Sequence, residues 1–85
     1  MYIVYILKSK VSGRYYIGST SNLDRRIFEH NNSKANRFTK SERPWKVVYT
    51  EAFETRSEAM TRERQIKAWK KRAAVEKLIK IGPFV

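Results

Sequence analysis

This chain is predicted to adopt an α+β fold, a small three-stranded antiparallel sheet flanked by helices in the order ββαβαα. Two runs rich in β-branched and aromatic residues stand close together near its start: Tyr2-Ile3-Val4-Tyr5-Ile6-Leu7 and Tyr15-Tyr16-Ile17-Gly18. A third, Trp45-Lys46-Val47-Val48-Tyr49-Thr50-Glu51, separates two stretches of helical periodicity. With 85 residues, 41% of them apolar, residues 1–85 are expected to form a single domain around one core.

The hairpin should span roughly residues 2 to 19. A turn at Ser9-Lys10-Val11-Ser12, ahead of Gly13, would set the phenols of Tyr5 and Tyr16 directly opposite each other. Gly18-Ser19-Thr20-Ser21-Asn22 then breaks the pattern. Ser21, with Asp24 three residues later, is placed to cap a helix from Leu23 to Asn31. Residues 31 to 44 read as a polar loop carrying Lys34, Arg37, Lys40 and Arg43. After the third strand, Thr55 or Ser57 starts a second helix that continues to about Arg72. A last helix from Ala73 to Ile81 is stopped by Gly82-Pro83.

Nineteen Lys and Arg against eight Asp and Glu leave a net charge of +11. So basic a surface repels itself unless a polyanion is near, which puts nucleic acid first among partners and an anionic membrane surface second. No stretch approaches the roughly 20 apolar residues that span a bilayer. The N-terminus opens directly on a strand pattern rather than on a signal peptide, so a cytoplasmic location is expected. The absence of cysteine excludes disulfides, thiolate metal sites and cysteine nucleophiles. One histidine and few acids exclude a multi-ligand zinc or two-metal centre, and the scattered glycines 13, 18 and 82 form no phosphate loop. No strained turn of the kind that presents a serine nucleophile supports a Ser-His-Asp triad.

On a helical wheel centred on Leu23, Ile27 lies about 40° to one side and His30 about 20° to the other. Arg26, about 60° from the centre, flanks the apolar face, while Arg25 points away. Arg26 and His30 are helical neighbours four residues apart. Two readings stand: a guanidinium and an imidazole at a phosphate site, or a surface charge beside a satisfied boundary histidine. The second helix carries an apolar set at Ala59, Met60, Ile66, Trp69 and Ala73, with Glu63 in phase between Ala59 and Ile66. Its carboxylate can reach the sheet and meet a cation or Mg2+; equally, it can form a surface ion pair with Lys67. Arg62 also lies near the apolar arc.

Residues 56 to 80 hold nine basic and three acidic side chains, with Lys67, Lys70, Lys71 and Arg72 densest. With the loop cations Lys34, Arg37 and Lys40, these are candidate contacts to nucleic-acid phosphates. Trp45, Trp69 and Phe38 are candidates to stack on bases, although Trp69 also suits the core.

These residues carry a resemblance. The chain resembles the GIY-YIG nuclease domain in its short stand-alone form, similar to the N-terminal nuclease domain of the excinuclease ABC C subunit. Tyr16-Ile17-Gly18 matches the second half of the signature. Ile3-Val4-Tyr5 stands in the place of the first, with isoleucine for glycine, valine for isoleucine and the tyrosine kept. The following segment, through Arg25-Arg26, aligns Arg26 with the family's catalytic arginine. His30 matches a histidine that many members carry one turn later, and Glu63 matches the metal-binding glutamate. The similarity runs from Tyr2 to about Ile79.

The resemblance implies a DNA endonuclease that uses one divalent ion, Mg2+ or Mn2+, held by Glu63. It implies that Tyr5 or Tyr16 acts on the attacking water, that Arg26 neutralises charge on the phosphate, and that His30 assists. Gly18 would let backbone approach closely. DNA, single-stranded or branched, is the expected substrate, ahead of RNA, with strand- or structure-selective cutting and a role in repair or recombination. Nothing in the chain specifies an oligomeric state. The alternative is a non-catalytic nucleic-acid binding module on the same scaffold; a structural, RNA-associated basic protein ranks below both.

Overall fold

The computed structural model describes residues 1–32 and 42–82. It has the expected order ββαβαα. Strands β1 (Tyr2–Ser9) and β2 (Tyr15–Thr20) are followed by helix α1 (Leu23–Asn32), strand β3 (Trp45–Phe53) and helices α2 (Arg56–Ala68) and α3 (Arg72–Ile81). The sheet is antiparallel with strand order β2-β1-β3, so β1 is central and β2 forms an edge.

Alternation along β1 divides the interior in two. Val4 and Ile6 face one side, where Tyr49, Ala59, Ile66, Val75 and Leu78 bury them beneath α2 and α3. Tyr5 and Leu7 face the other, packed with Trp45, Tyr16, Leu23 and Ile27 beneath α1. A register shift on β3 serves this division: Ile6 pairs with Tyr49 but Leu7 pairs with Val47, leaving Val48 as the extra residue. Strict alternation from Tyr49 would turn Trp45 toward α2. The shift turns it toward α1 instead.

Trp45 is therefore buried, and the expectation that it stacks on bases is corrected. Asn31 clamps its backbone: Asn31 Nδ2 donates to Trp45 O at 3.3 Å, and Trp45 N donates to Asn31 Oδ1 at 2.7 Å. Helix α1 ends at Asn32, one residue beyond the expected Asn31, so Asn32 belongs to the helix and not to the loop. The Arg43–Pro44 peptide bond ahead of β3 is cis.

Other boundaries also differ. Asn22 caps α1 in place of Ser21, its Oδ1 accepting from Arg25 N at 3.1 Å. Ser9 belongs to β1, so the hairpin loop begins later than the sequence places it. Thr55 caps α2 through a reciprocal box with Glu58, as one of the two expected starts. The helix stops at Ala68, before the expected Arg72; Trp69 forms its C-cap, and α3 begins at Arg72. Of the apolar set assigned to α2, Ala59 and Ile66 are buried, Trp69 is half-buried, and Met60 and Ala73 are exposed. Lys34, Arg37, Phe38 and Lys40 lie outside the described residues. No helix among the described residues is long and apolar enough to cross a membrane.

Candidate active site

The edge strand β2 organises the site, because its two faces present different residues to different helices. Gly18 and Tyr16 face α1 with Tyr5, while Ser19 faces α2 with Val4. The expectation that the two phenols stand directly opposite is corrected: Tyr5 pairs with Gly18, and Tyr16 pairs with Leu7. Tyr5 and Tyr16 are diagonal neighbours on one face, their ring centroids 6.4 Å apart and their planes inclined by 22°.

Gly18 has a specific steric reason. A Cβ built on it would lie 2.5 Å from Tyr5 Oη and 2.7 Å from Tyr5 Cζ, so the phenol occupies the space of a side chain. The Tyr5 hydroxyl, thus directed across the strand, meets His30 Nε2 at 3.2 Å. His30 is wholly buried, and the Tyr16 ring lies edge-on to it at 4.5 Å. Burial first, then the charge of Arg26 and that of Arg43, holds the imidazole below its ordinary 6.5, against the opposing effect of Glu29. Burial first, then Tyr16, raises the Tyr5 phenol well above its ordinary 10, while Arg26 pulls the other way. At neutral pH Tyr5 therefore keeps its proton and shares its hydrogen bond with a neutral imidazole.

Arg26 emerges at the flank of α1, as its helical phase predicts, and Arg25 points outward to pair with Glu29. A cleft of about 360 Å³ opens where Arg26 meets the end of β2. Tyr2, Ser19, Thr20 and Ser21 line it from the sheet, and Arg56, Met60 and Glu63 from α2. Arg26 and Glu63 thus converge from opposite faces of the sheet around its edge. Neither Arg26 nor Arg56 has a side-chain hydrogen bond or ion pair among the described residues.

Both oxygens of Glu63 are engaged. Ser19 Oγ donates to Oε1 at 2.6 Å, and Lys67 Nζ donates to Oε2 at 2.5 Å. The two sequence readings of Glu63 are therefore both realised, since the carboxylate lines the cleft and also pairs with Lys67. Burial pushes its pKa up, but the hydrogen bonds from Lys67 and Ser19, with the charges of Lys67 and Arg64, outweigh this and hold it below the ordinary value. Glu63 is thus an anion at neutral pH.

Ser19, Arg56 and Tyr2 were missed as site residues. Ser19 was detectable in principle: a serine in phase with Tyr15 and Ile17 is a polar group at an inward-facing strand position. Arg56 carried no signal, because its place in the cleft depends on where the first turn of α2 docks.

The residues fit a hard divalent cation. Among the described residues no three His, Asp or Glu side chains gather, so there is no all-protein cage. Mg2+, however, needs only one or two carboxylates, completing its octahedron with water and phosphate oxygens. A charged Glu63 on a cleft rimmed with hydroxyls meets that requirement once Lys67 moves aside.

Comparison with known proteins shows the family. Residues 1–78 match the GIY-YIG catalytic domain. The chain belongs to the GIY-YIG nuclease family. A UPF0213 protein of Staphylococcus saprophyticus is 40% identical over 93% of this chain and 94% of its own length. One from Halobacterium salinarum is 39% identical over 79% and 86%. The solution NMR structure of the UPF0213 protein BH0048 from Bacillus halodurans superposes with a TM-score of 0.61 at 36% identity, covering 95% of this chain and 85% of that one. The short stand-alone form of GIY-YIG domain is thus shared with these UPF0213 relatives. The family assigns nucleic acid as the class of substrate and a divalent metal as the general cofactor.

Proposed function

We infer that this GIY-YIG protein is an endonuclease that hydrolyses DNA phosphodiester bonds with one divalent ion. The observation that carries the reading is the cleft itself, which Arg26 and Arg56, without anionic partners among the described residues, line together with the charged Glu63. Two guanidiniums attract a phosphodiester, and the carboxylate in the same cleft gives a metal ion its place. Glu63 would hold Mg2+ or Mn2+, which when bound supplies positive charge against the phosphate oxygens.

The chain's own groups then divide the work. Arg26 sits where negative charge grows on the phosphate and stabilises it without reorganising. Ser19 fixes one carboxylate oxygen of Glu63 and so orients the other. Tyr5, protonated and bonded to His30, is a poor base; it positions the hydroxyl end of the pair. Tyr16 is only half-buried, which makes it the phenol that can meet a water and orient it for attack. The small domain has little surface left for reading sequence, so selectivity should follow strand structure, in keeping with repair or recombination.

Purified protein should nick single-stranded, duplex or branched DNA only when Mg2+ or Mn2+ is added. Arg26→Ala and Glu63→Ala should each lower the rate by about 100-fold or more, with unchanged circular dichroism. Tyr16→Phe should cost more activity than Tyr5→Phe at equal fold stability. Undiminished cleavage in the Arg26 and Glu63 variants would mean a contaminating nuclease and overturn the assignment. Salt-sensitive binding with no cleavage in any metal would establish a binding module instead.

A further inference from the structure

Helix α2 lies antiparallel along β2. Glu63 meets Ser19 at one end, and Trp69, just past the helix, reaches Ile17 and Tyr15 at the other. Tyr15, Ile17 and Ser19 share one strand face, so the active cleft occupies one end of a trough between β2 and the helices. A second cleft, of about 270 Å³, occupies the other end, lined by Arg14, Tyr15, Ile17, Lys71 and Arg72 beside Trp69.

Its cations are arranged around one ring. The Arg72 guanidinium lies 4.6 Å from the Tyr15 centroid, and Lys8 Nζ lies 5.8 Å from it. Arg72 Nε donates to Glu76 at 3.0 Å, and its Nη groups make no hydrogen bond among the described residues. A guanidinium laid on an aromatic face and braced by a carboxylate is already oriented, so meeting an anion costs it little further freedom. Arg14 stands out from the turn, three-quarters exposed and 3.7 Å from Glu42. Lys8, Arg14, Lys71 and Arg72 thus outnumber Glu42 and Glu76. With cations over the Tyr15 ring, the groove suits phosphates better than stacked bases.

We propose that this second cleft binds the phosphate backbone of the same strand whose scissile phosphate lies in the first. It thereby sets how far from a strand end or junction the cut falls. Tyr15 and Ser19 are four residues apart along the strand, about 13 Å at the usual rise. At about 3.4 Å per nucleotide along a duplex, that spans about four nucleotides, and fewer when the strand is extended. The proposal rests on the nuclease reading of the first cleft.

The test compares Arg26→Ala protein with the triple variant that adds Arg14→Gln and Arg72→Gln, both exposed positions, with circular dichroism to check that the fold is kept. Binding to single-stranded oligonucleotides of increasing length is measured by fluorescence anisotropy across a salt series. For strands long enough to reach both clefts, the added changes should weaken binding and lower the salt slope by about 1 to 2, at about 0.7 per phosphate released. Two- or three-nucleotide strands, which can occupy only one cleft at a time, should lose clearly less. Equal weakening at every length, or none at any, overturns the proposal. In end-labelled cleavage with Arg26 intact, the Arg14→Gln/Arg72→Gln protein should lose its minimum distance from one strand end; an unchanged product ladder counts against the ruler. If the unsubstituted protein cuts nothing while the length-dependent loss persists, the nuclease reading fails and the backbone groove stands.

Discussion

The most constrained residue is His30, which has no exposure to solvent and is hydrogen-bonded to the Tyr5 hydroxyl. Its folded pKa lies below its unfolded one, so on acidification the unfolded chain takes up the proton first. Stability from this group is fully present above pH 6.5 and is lost as pH falls from there through the folded value. The slope is at most about 1.4 kcal/mol per pH unit. Urea unfolding between pH 7.5 and 5.5 should show this decline, and His30→Gln should flatten it; parallel slopes in the two proteins would dissociate the decline from His30. At this scale the sequence was informative wherever helical phase alone decided orientation, as for Arg26 against Arg25. It was uninformative wherever a second element supplied the partner. Nothing local distinguishes the phenol that meets the imidazole from the one beside it.

Between elements, the tie from β3 to α2 is the one that an apolar ledger omits. Glu51 is buried yet accepts from Arg62 Nε at 2.9 Å and Arg62 Nη2 at 3.1 Å, and from the Tyr49 hydroxyl. Burial and the carboxylate together push the Tyr49 phenol up to about 12. Arg62 also lies 5.4 Å from the Trp69 ring, so one guanidinium joins β3 to the end of α2. Removing one partner of such a pair strands the other. Glu51→Ala should therefore cost about 3 to 5 kcal/mol by denaturant titration, whereas breaking the half-exposed Lys67–Glu63 pair with Lys67→Met should cost at most about 1 kcal/mol. Equal losses would show that burial does not separate the two pairs. Element order was readable because strand and helix periodicities differ. The inward turn of Trp45 was not, because the register shift at Val48 is a property of pairing with β1 and not of the β3 sequence.

For the whole molecule, charge and size act against each other. A surplus of +11 is held within principal extents of 30 × 27 × 22 Å. The screening length of about 10 Å at 0.1 M salt is well below that span, so added salt relieves repulsion across the molecule. The free protein should accordingly melt higher as NaCl rises from about 0.02 to about 0.3 M, while its gain in melting temperature from a bound oligonucleotide shrinks over the same range. A free-protein melting point that falls with salt would mean that attractive pairs outweigh the surplus. This behaviour was the most legible property of all, since net charge needs no fold. Where that charge converges needs both faces of the sheet to be known. Arg26 and Arg56 are thirty residues apart and come to line one cleft only around the β2 edge.

Gly18 carries one further consequence. By leaving a vacancy in its strand, it admits a ring from the adjacent strand, so the sheet edge and the phenol–imidazole contact depend on the same missing atom. Heredity then sees one position with two jobs. An alanine there would not trim activity gradually but would evict Tyr5 from its seat.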